Sequence, residues 1–280
     1  MGLRRSLYKT PAQLRAMVEP GQITAAMLDA VRALVAPGVT TGELDAAAAA
    51  VVAERGAESN FQLVRGYRHT TCISVNDQVV HGIPGSRVLE PGDIVSIDAG
   101  AQFKGWNGDS AITLVVPGGP SPVAAARQRL SEVTEGSLWA GIAALASAGR
   151  VGEIGDAVQG YIERAADADG AEYGILRDYV GHGIGRRMHE GRAVFNYRVA
   201  ALGPAVRPGL CLAIEPMVTS GSDATFVEDV DWTVTTVDGS DGAHWEHSVA
   251  VHEGGIWVLT AADGGAAGLA PFGVVPVAIA

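Results

Sequence analysis

Apolar positions along this chain follow two rhythms. After Thr10-Pro11, a threonine cap with proline at the first helical position, Leu14, Met17 and Val18 recur at helical spacing. The pattern resumes from Ile23 to Val35 and stops at Pro37-Gly38. Pro20-Gly21 interrupts it, which predicts one kinked helix or two short ones. The Ala-rich stretch 41–55 predicts a second helix, closed by Gly56. Segments 61–64 and 71–75 read as strands around a loop carrying Tyr67 and His69, and Asn76-Asp77 as a turn before Val79 to Gly85. Next comes an apolar run that ends on Asp98, turns through Gly100 to Gly105, and returns on Asp109 before 111–116. That predicts two strands, each carboxylate sitting where a strand meets the connection, a position an ordinary turn former also takes.

A second cycle opens at Ser121-Pro122. Leu130, Val133, Leu138, Ile142 and Leu145 form a helical stripe ending near Gly149, and a further helix runs over 152–167. Its Gly152-Glu153 opening repeats Gly42-Glu43. A final strand pair is expected over 231–237 and 246–251. Two landmarks also recur. Pro91-Gly92 leads a strand reaching Asp98 seven residues after the proline, and Pro208-Gly209 leads one reaching Glu215 at the same distance. Alternation puts Asp98 on one face with Ser96, and Glu215 with Ala213, while Val95 with Ile97 and Leu212 with Ile214 take the opposite faces. Small residues beside each acid leave room for something next to it. Asp109 and Glu246 each open the last strand of their half. The self-similarity predicts a pseudo-twofold α+β fold, strands central and helices outside, with halves at about 10–120 and 121–260 in a single domain. The stretch 261–280 is an apolar tail with no charge after Asp263, expected to dock on the body or to be partly disordered.

The chain has 280 residues, 48% hydrophobic and 18% charged, with a formal net charge of −11. Arg4-Arg5 and Arg186-Arg187 are isolated pairs, so no basic patch for nucleic acid exists. No apolar run reaches the roughly 18 residues of a membrane span. The first six residues lack the apolar core of a signal peptide and match an acylation pattern only formally. Cys72 and Cys211, both within apolar runs, read as buried, reduced thiols. These features point to a cytoplasmic protein.

The pseudo-symmetry brings Asp98, Asp109, Glu215 and Glu246 toward one centre. Two unit charges 4 Å apart repel by about 4 kcal/mol at an effective dielectric near 20, so four clustered carboxylates cost on the order of 20 kcal/mol. A pair of divalent cations resolves this better than shared protons. The alternative is that the four acids never meet. His182 lies in Gly181-His182-Gly183-Ile184-Gly185, where the glycines permit close backbone approach, and His189 and His81 accompany it. Carboxylates with one imidazole form a hard donor set, favouring Mn²⁺, Fe²⁺ or Co²⁺. No P-loop lysine follows the glycines, and no Gly-x-Ser-x-Gly elbow occurs.

Together, His81-Gly82-Ile83-Pro84, Ile97-Asp98 with Gly108-Asp109, Gly181 to Arg186 with His189-Glu190, Ile214-Glu215-Pro216 and Glu246-His247 resemble the type I methionine aminopeptidases of the pita-bread fold, over roughly residues 10 to 260. The gap between Glu215 and Glu246 has no room for the helical insertion of type II enzymes. The resemblance implies a mostly antiparallel central sheet with helices on its outer face. It also implies two metal ions, one chelated by Asp98 and the other by His182 and Glu215, with Asp109 and Glu246 bridging both. A bridging water would be activated to hydroxide, Glu215 would shuttle the proton, His189 would stabilise the oxyanion and His81 would contact the scissile amide. The substrate would be the N-terminal methionine of a nascent chain with a small second residue, its free amine reaching a metal. Transient contact with the ribosome is compatible with that role, and neither nucleic acid nor membrane is required.

Phe61, Val64, Tyr67, Cys72, Met188 and Trp232 match the family's methionine pocket, where His81 and His189 also contact substrate; plain core packing is the alternative for each wall residue, and for Cys72 it stands level with wall duty. The chain departs from the family at Val64 and Met188, where aromatics are usual, at Val80 in place of cysteine, at Asn107 in place of histidine, and at Gly191-Arg192 and Asn196. No ligand position is lost. Two other readings are an Xaa-Pro peptidase on the same fold, which generally carries a large N-terminal domain, and a peptide-binding module without catalysis.

Overall fold

The computed structural model describes residues 7–228 and 232–280, with the backbone alone at Arg192. The formal acylation pattern in residues 1–6 and the expected strand start at Asp231 lie outside the described residues.

Among the described residues four long helices follow the two expected cycles: α1 (Pro11–Arg32), α2 (Thr41–Glu54), α3 (Pro122–Ala144) and α4 (Glu153–Asp169). Thr10 with Gln13 and Thr40 with Glu43 form capping boxes, and Ser121 accepts from the Ala124 N–H. Gly170 ends α4 in the left-handed region, at φ 61°.

Pro20-Gly21 does not divide α1, correcting the alternative of two short helices. Thr24 Oγ1 donates to the Pro20 carbonyl over 3.0 Å, tying the turn that follows the proline. A Cβ on Gly21 would stand 2.4 Å from the Leu259 carbonyl oxygen, and one on Gly108 would stand 2.7 Å from that of Pro20. The Pro-Gly pair is therefore where the helix backbone lies directly on strand backbone.

Among the described residues the main sheet has nine strands, and its pairings are antiparallel. Its centre is the hairpin Ile94–Phe103 and Trp106–Val115, joined to Glu246–His252, then Cys211–Ile214, Gly181–Gly183 and Glu190–Val194. The halves meet where Glu246 pairs with Ala111 and His247 with Ser110. This is the α+β pita-bread arrangement.

Asp98 and Asp109 lie inside their strands rather than at the ends. The turn is Lys104-Gly105, with φ of 50° and 73°, the two positive values of a type I′ hairpin. Ala99-Gly100-Ala101 is instead a place of close approach. Gly100 lies against the Asn60 side chain, which would collide with any Cβ there, and the Ala101 N–H donates to Thr24 Oγ1 of α1 over 3.1 Å.

Two other expectations change. Segment 61–64 is not a strand but contains a 3-10 turn, Phe61–Leu63, which puts Phe61 inside and Leu63 in solvent. The final strands do not pair with each other: Val234–Thr236 joins Thr225–Val227 and Gln78–Val80 in a small separate sheet, while Glu246–His252 belongs to the main one.

Val95, Ile97, Leu212 and Ile214 turn toward the helices, in one cluster with Ile23 and Met27 of α1, Leu44 of α2, Leu138 and Ile142 of α3, and Ile154 and Val158 of α4. Burying each such side chain contributes about 1.5–3 kcal/mol, so the bulky face of each acid-bearing strand is committed to the core. The tail docks. Leu269 is buried, Val277 N–H donates to Ile256 O, and Arg15 Nη1 donates to Ala280 O.

Candidate metal centre and substrate pocket

The register explains how distant acids meet. Ala111 has Asp98 opposite it on one neighbouring strand and Glu246 opposite it on the other. Asp109 precedes Ala111 by two residues and so shares its face. The second half repeats the device. Ala213 has His182 opposite it, and Glu215 follows Ala213 by two. In each half an alanine methyl, rather than a bulky side chain, lies between the polar groups.

His182 Nε2 lies 3.4 Å from Glu215 Oε1 and 4.0 Å from Asp109 Oδ2. Ligand atoms of Asp109, His182 and Glu246 fall within 4.8 Å of one another. Asp98 Oδ1, Asp109 Oδ1, Glu215 Oε1 and Glu246 Oε1 are enclosed without hydrogen-bond partners.

Burial pushes the Asp98 carboxyl up to about 8. Burial first, and then neighbouring carboxylates, push Asp109 and Glu246 well above the ordinary range. Glu215 rises for the same two reasons, with Asp98 as its charged neighbour. Such a set stays ionised only beside positive charge. Burial and the nearby His189 lower His182 to about 3, which leaves the neutral imidazole that binds metals. Its Nδ1 lies 3.1 Å from the Gly183 carbonyl oxygen, so Nε2 faces the acids.

All thirteen residues singled out in the sequence line one cavity of about 210 Å³. A larger hollow of about 460 Å³ lies between Lys9, Pro208 and the chain end, but it lacks a comparable carboxylate and histidine set. One side of the smaller cavity is apolar. Phe61, Tyr67 and Cys72 are buried together, with Val64, Ile83, Met188 and Trp232 packed on them. Tyr67 is edge-on to Trp232, ring centroids 5.1 Å apart, and its hydroxyl donates to Thr71 O over 2.7 Å. Cys72 Sγ donates to that hydroxyl over 3.2 Å, and burial raises its thiol, leaving an inert wall rather than a nucleophile. Asp45 of α2 fixes this wall by accepting from Thr70 N, Thr71 N and Thr71 Oγ1.

His81 and His189 border the apolar and acidic parts. His81 adopts φ 59°, unusual for a residue with a side chain, directly before Gly82, whose missing Cβ lets it pass the Ile73 carbonyl. Burial lowers His81 to about 4. The His189 ring stacks obliquely on that of His182, centroids 4.1 Å apart.

Two departures from the family pattern make specific contacts here. Asn107 Nδ2 donates to Gly185 O over 2.9 Å, tying the hairpin to the His182 loop. Asn196 Nδ2 donates to the Glu215 carbonyl over 3.0 Å. Val80 packs in a small buried cluster with Val79, Leu176, Met217 and Val234. Two residues of the site were not read from sequence. Ala111 could have been found from its place two residues after Asp109, on the same face of the strand. His244 is buried, with Nε2 3.9 Å from Glu215 Oε2, and its clue was a spacing of two before Glu246.

Residues 15–253 match Metallopeptidase family M24. The chain is 45% identical over 260 residues to Methionine aminopeptidase 1 of Mycobacterium tuberculosis, covering 92% of this chain and 96% of that one. It is 41% identical over 254 residues to Methionine aminopeptidase 1 of Bacillus subtilis, covering 91% and 98%. A crystal structure of methionine aminopeptidase from Thermotoga maritima superposes with a TM-score of 0.82 at 35% identity, covering 90% of this chain and 98% of that chain. The prolidase from Pyrococcus furiosus shares the fold, with a TM-score of 0.68 at 20% identity, but this chain spans 65% of its length.

Proposed function

The chain belongs to metallopeptidase family M24, as a methionine aminopeptidase of type I, and we propose that it removes N-terminal methionine from polypeptides with a small second residue, using two divalent cations. The convergence of five ligand-type side chains and an apolar wall on one cavity supports this reading. Enclosed carboxylate oxygens without partners, beside a neutral imidazole, fit Mn²⁺, Fe²⁺ or Co²⁺. Asp98 would hold one ion, His182 and Glu215 the other, and Asp109 and Glu246 both. When bound, the pair supplies the positive charge that makes water nucleophilic near neutral pH.

The remaining chemistry belongs to side chains. Glu215 carries the proton from the attacking water to the leaving amine. His189, kept neutral by burial, offers one N–H to the developing oxyanion. His81 contacts the scissile amide. Phe61, Val64, Tyr67, Cys72, Met188 and Trp232 enclose the methionine side chain. Among the described residues no helix is long and apolar enough to cross a membrane. On this reading the substrate is the nascent chain in the cytoplasm, with transient contact with the ribosome.

Removing metal with a chelator should abolish methionine release from Met-Ala-Ser, and added Mn²⁺ should restore it. Release from an Xaa-Pro dipeptide alone would instead place the chain with the Xaa-Pro peptidases. Metal binding with no hydrolysis of either peptide would point to a binding module.

A further inference from the structure

His244 stands outside the thirteen cavity residues, yet its imidazole is directed at one of them. It is 2% exposed, and its Nε2 has no hydrogen-bond partner. Such an atom is uncommon in a folded interior, because a buried polar group is normally paired. The ionisable group facing it is Glu215, with Oε2 3.9 Å away. The other oxygen of that carboxylate, Oε1, faces His182 Nε2 at 3.4 Å. Glu215 thus lies between two imidazoles, one for each oxygen.

The mounting of His244 is rigid. Its backbone N–H points at Thr113 Oγ1, 2.9 Å away, and Ser96 Oγ, 3.2 Å away, and its carbonyl accepts from Thr113 Oγ1 over 2.6 Å. Ser96 and Thr113 are themselves in contact, Oγ to Oγ1, at 2.8 Å. On the opposite strand His244 pairs with Met217, two residues beyond Glu215. His244 itself precedes Glu246 by two. One layer below the acids, a hydroxyl pair therefore fixes the backbone from which this side chain reaches Glu215.

We propose that His244 is a positioning residue for Glu215, its Nε2–H holding the Oε2 oxygen so that Oε1 stays directed at the cation site. A neutral imidazole carries one N–H, and donating it to a ligand carboxylate fixes the orientation of that carboxylate. Contacts among catalytic groups are commonly long in the unliganded enzyme and tighten in the complex, which suits a separation of 3.9 Å. The inference rests on the reading of Glu215 as a metal ligand and proton carrier.

The test uses three variants of the full chain. His244→Gln places an amide nitrogen where Nε2 stood, His244→Asn places one where Nδ1 stood, and His244→Leu fills the space without a donor. Each metal-free protein is titrated with MnCl₂ by calorimetry, and Met-Ala-Ser hydrolysis is measured at saturating Mn²⁺. His244→Leu and His244→Asn should bind Mn²⁺ about 10–100-fold more weakly, with kcat reduced and KM little changed. His244→Gln should recover both. Wild-type affinity and kcat in His244→Leu would overturn the inference, as would rescue by Asn but not Gln, or equal losses in all three. If His244→Leu does not fold, the Gln and Asn pair decides alone. A wild-type protein that neither binds Mn²⁺ nor releases methionine would overturn the functional reading instead.

Discussion

Asp98 and Glu246 stand opposite the same residue, Ala111, from the two strands that flank it. One belongs to the first half of the chain and the other to the second. Because the side-chain period of a strand is two, Asp109 joins them on that face. Ala213 does the same for His182 and Glu215. The convergence of four acids and an imidazole on one cavity thus follows from register and two methyl-sized gaps, with no long loop needed to carry a side chain inward.

Enlarging one gap should therefore disturb this convergence while leaving all five polar groups in the sequence. Ala111→Leu is expected to weaken Mn²⁺ binding by at least about 10-fold, the lower end of losses seen when ligands are misoriented. Added core methylenes cost about 1–3 kcal/mol. Calorimetric titration and urea unfolding measure the two effects. Wild-type affinity in Ala111→Leu would show that the methyl is not needed there.

The metal-free protein should lose stability as pH rises from about 7 to 9. Asp98 is raised from 3.8 to about 8, so over this range the folded state binds more protons than the unfolded one. Stability from that difference is fully present below the unfolded value and is lost as pH passes the folded one. Asp109, Glu215 and Glu246 shift in the same direction. The buried histidines, lowered by burial, are neutral in both states through most of this range. Melting curves with and without Mn²⁺ measure the effect. The metal-free Tm should fall across the window while the Mn²⁺-loaded Tm does not, and parallel curves would contradict it.

Glu215→Gln keeps the shape of the side chain but removes its basicity. Loss of a general acid–base group typically costs 10²–10⁴-fold, and kcat for Met-Ala-Ser should fall by about that much or more. Wild-type turnover in this variant would exclude Glu215 as the proton carrier.

The residue types that bind hard cations are legible in sequence, because their chemistry does not depend on the surrounding fold. Their framing was less so. Ala99-Gly100-Ala101 and Pro20-Gly21 read as turn and break signals, but tertiary contacts use their lack of bulk for Asn60, Leu259 and Gly108. Local pattern cannot distinguish a glycine that turns from one that is approached. Segment 61–64 is too short for period alone to separate a strand from a 3-10 turn. The strand over Val234–Thr236 has the expected composition, but its partners, Gln78–Val80 and Thr225–Val227, are set by the three-dimensional arrangement. Ala111 and His244 carry no acid and no metal-type motif, so only register and direction mark them.

Lys9 bridges the N-terminal arm and the loop that carries Met188 and His189. Its Nζ lies 3.1 Å from Glu190 Oε2, with the side chains 5% and 18% exposed. Glu190 Oε1 also accepts from the Arg187 N–H. Lys9→Met should destabilise the protein by about 1–3 kcal/mol, the cost of leaving a largely enclosed polar group without its partner. Adding Glu190→Gln should recover most of it. Urea unfolding of the single and double variants measures both, and additive losses would show that the two residues do not act as a pair.

The most direct test of the two-cation cage is a crystal of the Mn²⁺-loaded protein measured at the manganese absorption edge. Two anomalous peaks are expected among Asp98, Asp109, His182, Glu215 and Glu246, with Asp109 and Glu246 touching both. A single peak bound by fewer of these residues, or manganese elsewhere with the five side chains turned apart, would contradict it.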